Sequence, residues 1–453
     1  MSALDQIDTI VLLMLENRSF DHMLGHLSCG VMANGSGADG LTEPFARDSY
    51  VNPFQGERYY PHFMPDTALS TDLPHDRAAI ATQLRMNAVT GAFAMDGFAR
   101  SYFDSSPTNR TATPDAMGCL KPDDVPMTRF LADHYAVCDR WFAALPAGTQ
   151  PNRLMAWTGT SLIDGNGFLP PRDELLLDWM TRNRVHYRVY TSGISFFLLL
   201  GAKAAFGPNF RSIDRLAPDV AGEKPGDFPQ VIVVEPAYGD AVRITGGVAD
   251  DCHAPAAVGP AENFLRRIYD ALTSNPARWA RTMLVVYYDE HGGFYDHVAP
   301  PRIGYQPPPK AKWTTPFTSL GVRIPGLVIS PLVSPKQVYH ETLDHTSVLQ
   351  LLAEKFTPGR PYSASVERRR VQGVGSVSAV LSDRIQQPVA PAAPNFAVKA
   401  TVPLGANQPA TTPIEASFEQ VAQDMVKKFP KETAQKYPAV SHWVLSQKNR
   451  PHT

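Results

Sequence analysis

Three short stretches of the chain gather the residue types that hold divalent cations and move phosphoryl groups. In ENRSFDHMLG (16–25), Glu16 and Asn17 set a carboxylate and an amide oxygen side by side. Hard oxygens of this kind suit a divalent cation. The same residues also suit a helix start, with Asn17 as cap and Asp21 in the first turn. In DEHGGFYDHV (289–298), Asp289 and Glu290 are followed by His291, two glycines, Asp296 and His297. Paired glycines let a backbone turn tightly beside a ligand. Adjacent acids at the end of an apolar run need pairing or a metal if buried, and need neither in a solvated loop. In LPAGTQPNRL (145–154), Gly148 and Thr149 precede Pro151, Asn152 and an apolar run through Trp157. Thr149 then stands at a helix N-terminus, where free amides and the dipole suit a phosphate and help a hydroxyl ionise. An ordinary Thr cap is the competing reading. Three histidines complete the set: His75 in DLPHD, His253 in ADDCHAP and His345 in LDHTSVLQLL. Each alone fits a structural role, and at the last the cap of the following helix could be Asp344 or Thr346. Together, two acidic strand ends, a hydroxyl and three imidazoles provide what phosphoryl transfer needs: a cation site, a nucleophile, and donors for the phosphoryl and leaving oxygens.

These residues must be positioned by a sheet. Short apolar runs at 9–15, 185–190, 231–234, 283–288 and 327–329 each end in polar residues: Glu16-Asn17, Thr191-Ser192, Glu235-Pro236, Asp289-Glu290 and Ser330-Pro331. Runs of this length, rich in β-branched residues, fit strands buried on both faces of a parallel sheet. Helical spacing at 127–135, 261–272 and 346–356 alternates with them, as in an α/β domain with right-handed crossovers. Ligands in such sheets lie at the carboxyl ends of the strands, so the polar run ends are expected there. The stretch 34–76 reads as a long ordered excursion. The stretch 387–413, poor in charge and rich in Pro and Ala, reads as an extended arm before an amphipathic helix at 414–428, with a last turn at 432–437. The expected organisation is a catalytic domain over 1–386 and an arm with a C-terminal helix, 387–453, packed on it.

Composition excludes several classes. The 453 residues carry 42 Lys and Arg against 44 Asp and Glu, a net charge of −2, so no nucleic-acid partner is expected from bulk charge. Proline is 41 of 453 against a usual ~5%, which makes the chain loop-rich. The first apolar run is preceded by Asp5 and Asp8, unlike a cleaved export signal. The run at 194–200 is too short to cross a bilayer. No transmembrane segment is expected, only transient membrane-surface contact, and the compartment stays open. The four cysteines are widely spaced without a CxxC pattern, which favours free thiols over a zinc site.

ENRSFDH, GTQPNR and DEHGGFYDHV resemble, in content and order, the bacterial phosphoesterase family of phospholipases C and related acid phosphatases. The resemblance runs from Ile7 to about Phe356. It implies an alkaline-phosphatase-like α/β fold, a mostly parallel central sheet sandwiched by helices, with long loop insertions. It implies a metal-dependent phosphoric ester hydrolase in which Glu16, Asn17, Asp289 and Glu290 match the metal-binding positions. Thr149 matches the family's Ser or Thr nucleophile, which also touches the metal, so a phosphothreonine intermediate is expected. His75, His253 and His345 fall where the family places phosphate-contacting or proton-donating groups, with His253 or His345 as general acid. The family's middle His is followed at once by Pro. Here the order is Asp250-Asp251-Cys252-His253-Ala254-Pro255, which makes Asp251 and His253 rivals for that place. One divalent ion is expected, and mostly oxygen ligands favour Ca²⁺, Mg²⁺ or Mn²⁺ ahead of Zn²⁺. The expected substrate is a phospholipid cleaved on the glycerol side. The alternatives are a broad-specificity acid phosphomonoesterase working on small phosphate esters and, in another class, a non-catalytic phosphate- or phospholipid-binding protein.

Overall fold

The computed structural model describes residues 2–105, 113–201, 207–398 and 410–448. Eight strands form one sheet: β1 (Thr9–Leu15), β2 (Ala136–Cys138), β3 (Tyr187–Thr191), β4 (Phe210–Ser212), β5 (Val231–Glu235), β6 (Thr282–Tyr288), β7 (Gly326–Ile329) and β8 (Gln337–Tyr339), in the spatial order β8-β2-β7-β6-β1-β5-β3-β4. β1, β5 and β6 are buried along their whole length. Helices cover both faces, so these central strands can be apolar at every position rather than at alternate ones. The fold is therefore the mixed α/β architecture expected, with a large, mostly parallel sheet.

The centre of the sheet determines where the chemistry sits. β1 and β6 run parallel from Thr9 opposite Thr282 to Leu15 opposite Tyr288, so Glu16 and Asp289 leave the sheet side by side. β5 flanks β1 on the other side, also parallel, with Leu13 opposite Val234. One expectation is corrected here. β7 is antiparallel to both neighbours, with Tyr287 opposite Gly326 and Leu284 opposite Ile329. Ser330 therefore leaves at the far edge, and the residues before Gly326 lie on the ligand edge. An apolar run of four residues carries no mark of its direction.

Six further elements matter to the site: helices α1 (Phe20–Leu24), α2 (Pro126–His134), α3 (Thr149–Thr158), α4 (Gly259–Thr273), α5 (Thr346–Phe356) and α6 (Pro413–Lys428). The excursion at 34–76 is ordered by two small sheets, one pairing Asn52–Phe54 with Glu57–Tyr59 and the other pairing His62–Phe63 with Gly118–Cys119. All four cysteines are free and buried. Among the described residues no helix is long and apolar enough to cross a membrane.

Of the expected C-terminal arm, 399–409 lie outside the described residues. α6 begins with a capping box between Thr412 and Glu415. It buries Ile414, Phe418, Val421, Ala422 and Met425, one stripe at helical spacing, in the same core as the sheet. Where one last turn was expected, two short helices follow, Pro430–Lys436 and Pro438–Lys448. Each starts at a proline, whose missing N–H costs nothing at a first helical position.

Candidate active site

Glu16 and Asn17 follow β1 directly, and both are buried. Glu16 Oε1 accepts a hydrogen bond from Arg153 Nη2 at 2.8 Å, and Oε2 faces His253 Nδ1 at 3.1 Å. Asn17 adopts φ 59°, a left-handed conformation that Asn tolerates better than most residues. Its backbone N–H donates to Asp289 Oδ1 at 3.1 Å. The cap of α1 is Ser19, whose hydroxyl accepts from His22 N, so Asn17 is not a helix cap. Its side-chain oxygen has no hydrogen-bond partner.

Asp289 and Glu290 are 0% exposed, which removes the solvated-loop reading. Asp289 Oδ1 also accepts from Glu290 N at 2.8 Å, and Oδ2 accepts from Arg153 Nε at 3.2 Å. Glu290 Oε2 accepts from Gly292 N at 2.7 Å, while Oε1 is unpartnered and 3.7 Å from His75 Nε2. The two glycines make this turn possible. A Cβ on Gly292 would lie 2.1 Å from the Asn17 carbonyl oxygen, and one on Gly293 would lie 2.7 Å from Leu73 Cβ, both at positive φ. The bare turn thus presses against Asn17 on one side and against the segment carrying His75 on the other.

Thr149 is the first residue of α3, and Gly148 is its cap. The Thr149 hydroxyl is buried and unpartnered, so it caps nothing. The caps come from elsewhere: Asn166 Oδ1 accepts from Gln150 N at 2.9 Å. Asn152 ties down the preceding turn, accepting from Leu145 N and donating to the carbonyls of Leu145, Ala147 and Gly148. A Cβ on Gly148 would lie 3.5 Å from the His75 carbonyl oxygen, which brings the start of α3 to the His75 segment. Arg153, one helical turn beyond Thr149 and on the same face, reaches both Glu16 and Asp289. Its guanidinium lies 4.8 Å from the Phe196 ring and 4.9 Å from the Tyr238 ring, which meet each other edge-on at 5.8 Å.

The histidines divide. His75 donates Nδ1–H to the Leu73 carbonyl at 2.6 Å and turns Nε2 toward Glu290 and Asn17. His253 Nε2 lies 2.8 Å from Asn17 Nδ2 and 3.5 Å from Asp72 Oδ2. Asp251 accepts from the Gly239 and His253 amides, so it shapes the loop and His253 reaches the site. His345 is not brought to this cluster. Its Nδ1 accepts from Ala144 N at 2.9 Å and its Nε2 donates to the Tyr288 carbonyl at 3.0 Å. Burial holds it down at about 4, and a neutral ring with both nitrogens occupied has none left for a phosphate.

The charge balance of this cavity favours a cation. Burial outweighs Arg153 and, with the Glu16 and Glu290 charges, pushes Asp289 up to about 8. Burial also pushes Asp240 up to about 6. Glu16 is held below the usual carboxylate range, because Arg153 and His253 overcome the cost of its burial. For His253 burial opposes the charge, yet Asp72 and Glu16 raise it well above an ordinary imidazole. Glu16, Asp240 and His253 offer ligand atoms within 4.8 Å of one another, as do Asp72, His75 and His253. The buried oxygens Asn17 Oδ1, Thr149 Oγ1 and Glu290 Oε1 all lack a hydrogen-bond partner, and Glu16 Oε2 has His253 Nδ1 at 3.1 Å. Unsatisfied buried oxygens are costly, and three of them on residues expected as ligands fit a divalent ion.

The remaining acids of the two motifs do other work. Arg323, fully buried, donates to Asp21 Oδ1 at 3.0 Å and to Asp296 Oδ1 at 2.8 Å. His297 bridges Asp21 and Asp39 at 2.7 and 3.2 Å. This ionic hub clamps the loop after β1 to the loop after β6. Arg153, Asp72, Asp240 and Arg323 were not singled out from sequence. The signal for Arg153 was present, since it is four residues from Thr149 and so on the same helix face.

The Phosphoesterase family matches residues 7–357. Non-specific phospholipase C3 of Arabidopsis thaliana is 29% identical over 421 residues, 84% of this chain and 74% of its own. Non-specific phospholipase C6 of the same plant is 32% identical over 355 residues, 74% of this chain and 64% of its own. The chain thus spans just under two thirds of that second relative. A solved structure of a protein in the alkaline phosphatase superfamily from Vibrio parahaemolyticus overlaps 59% of this chain and 65% of its own at 14% identity and a TM-score of 0.32.

Proposed function

Since the chain belongs to the Phosphoesterase family, we propose that this phosphoric ester hydrolase is a phospholipase C that uses one divalent metal ion and a phosphothreonine at Thr149. The observation that carries the reading is the set of buried, unpartnered oxygens on Asn17, Thr149 and Glu290, with the Glu16 and Asp289 carboxylates alongside. The names of the plant relatives support phospholipid as the substrate class.

Glu16, Asn17, Asp289, Glu290 and the Thr149 hydroxyl would hold the ion, which supplies Lewis acidity to the hydroxyl and to the phosphoryl oxygens. Thr149 sits at the N-terminus of α3, where the helix dipole favours an alkoxide. Its Oγ1 attacks phosphorus, the Oγ1–P bond forms, and the bond from phosphorus to the diacylglycerol oxygen breaks. His253, held protonated between Glu16 and Asp72, gives its Nε2 proton to that leaving oxygen. The Asn17 amide then donates to the bared nitrogen. Water, losing its proton to the same nitrogen, attacks the phosphothreonine and releases the phosphorylated head group with Thr149 restored. His75 positions phosphoryl oxygens through Nε2, its ring fixed by the Leu73 carbonyl.

The test is turnover of p-nitrophenylphosphorylcholine against p-nitrophenyl phosphate, with and without chelator. The proposal expects the diester to be the better substrate, activity to vanish with EDTA and Ca²⁺, Mg²⁺ or Mn²⁺ to restore it. Preference for the monoester would make the protein a phosphomonoesterase. Binding of both esters without turnover would make it a binding protein.

A further inference from the structure

The family match ends at residue 357, yet the helix α6, beyond that point, reaches the candidate active site. Phe418 is fully buried on α6. Its ring stacks on Tyr238 at 5.9 Å and meets Phe196 edge-on at 6.2 Å. Those two rings, in edge contact with each other at 5.8 Å, both pack against the Arg153 guanidinium, and Arg153 holds Glu16 and Asp289. Phe418 is therefore the third ring of an aromatic cluster whose other two members pack against the cation that orients two of the proposed metal ligands. Two more contacts tie the same helix to the same site. Thr412 Oγ1 donates to Asp240 Oδ1 at 3.3 Å, and Asp240 lies with Glu16 and His253. Ser417 Oγ accepts from Leu169 N at 3.0 Å, in the loop whose Asn166 caps α3.

We propose that Phe418 is a positioning residue for the metal site, acting through Tyr238 and Phe196 on Arg153, and that α6 thereby completes the active site from outside the family's matched region. The argument is geometric. A guanidinium packed against two rings, and bonded at 3.1 Å to the hydroxyl of one of them, Tyr238, keeps its hydrogen-bonding direction only while the rings stay in place. Phe418 backs both rings, because it touches one face-on and the other edge-on. Without it the rings can relax into the vacated space. Arg153 then tilts, and Glu16 and Asp289 lose the donors that aim them. Outer partners of metal ligands typically matter by ~10–100-fold in affinity. Phe418 acts one contact further out, so the low end, about tenfold, is expected.

This inference rests on the metal-dependent reading above, and the experiment separates the two. Mn²⁺ affinity is measured by calorimetry on EDTA-stripped full-length protein, for wild type, Phe418→Ala and Phe418→Leu, at a temperature where each is shown folded by near-UV circular dichroism. Leu fills most of the space without a stacking face. The expected result is Mn²⁺ binding by wild type, a dissociation constant about tenfold weaker for Phe418→Ala, and an intermediate value for Phe418→Leu. The expected kinetic signature is a loss that excess Mn²⁺ restores in kcat with KM for p-nitrophenylphosphorylcholine unchanged. If Phe418→Ala does not fold, Phe418→Leu decides. Wild-type affinity in the folded Leu variant, or in both, overturns the role of Phe418. Absence of metal binding by wild type overturns the metal-dependent reading itself.

Discussion

Replacing Arg153 by Met tests whether the site is built around a surplus of buried negative charge. The side chain is fully buried and bonds Glu16 at 2.8 Å and Asp289 at 3.2 Å. Met keeps most of the volume and removes the charge. Breaking a buried pair by removing one partner costs about 3–5 kcal/mol, because the other charge is left uncompensated. The cost should depend on pH in a defined direction. Asp289 already sits up at about 8 with Arg153 in place, lifted by burial and by its acidic neighbours. Loss of the guanidinium raises it further, by ~1.4 kcal/mol for each unit. A carboxyl raised in the folded state contributes stability in full below its unfolded value, and that contribution is lost as pH rises through the folded one. Asp289 is neutral at about pH 6 in either protein, so the deficit of the variant should be smaller there and should grow toward about pH 9. Urea unfolding of EDTA-treated wild type and Arg153→Met at those two pH values measures it. A deficit under ~1 kcal/mol at the higher pH, the range of an exposed pair, or a deficit larger at the lower pH, would refute the reasoning.

Three further outcomes are expected. In the step that forms the phosphothreonine, read as the pre-steady-state burst, His253→Ala should lose about 10²–10⁴-fold on phospholipid, whose alkoxide needs a proton, and far less on p-nitrophenylphosphorylcholine; equal losses in that step would remove His253 as the acid. His297 is opposed by burial but lifted by Asp21 and Asp39 to about 10. Its stabilisation is full below its unfolded value of ~6.5 and lost as pH rises through 10, so thermal melting of wild type should fall over that window while His297→Gln stays flatter; parallel profiles would contradict the hub. Glu262 on α4 accepts from Met127 N, Thr128 N and Thr128 Oγ1 at the start of α2; Glu262→Ala should cost about 3 kcal/mol by chemical denaturation, and a cost below ~1 kcal/mol would show those donors finding other partners.

The reach of the sequence depended on whether the deciding contacts were local. The runs at 9–15 and 283–288 were readable because both strands are buried on two faces and apolar throughout. The acidic ends of these strands converge because the strands are parallel neighbours. The runs did not reveal that β7 is antiparallel. The three-residue strands Ala136–Cys138, Phe210–Ser212 and Gln337–Tyr339 are too short to leave a period. Thr149 was readable from the Gly before it and the helix after it. Arg153 bonds to residues more than a hundred positions away, and Asp240 and Phe418 likewise matter only through partners distant in sequence. His345 looked like its fellow histidines in composition. Its difference lies in two backbone partners, Ala144 and Tyr288, that no local pattern announces.

The central claim is that Thr149 carries the phosphoryl group. Acid quench during steady turnover of a phosphatidylcholine, followed by intact-mass and peptide analysis, tests it most directly. The account predicts a phosphorylcholine adduct on the peptide containing Thr149. The adduct should depend on divalent metal, be absent from Thr149→Ala along with turnover, and persist at a reduced level in Thr149→Ser. Full turnover by Thr149→Ala, or an adduct mapped to another residue, would contradict it.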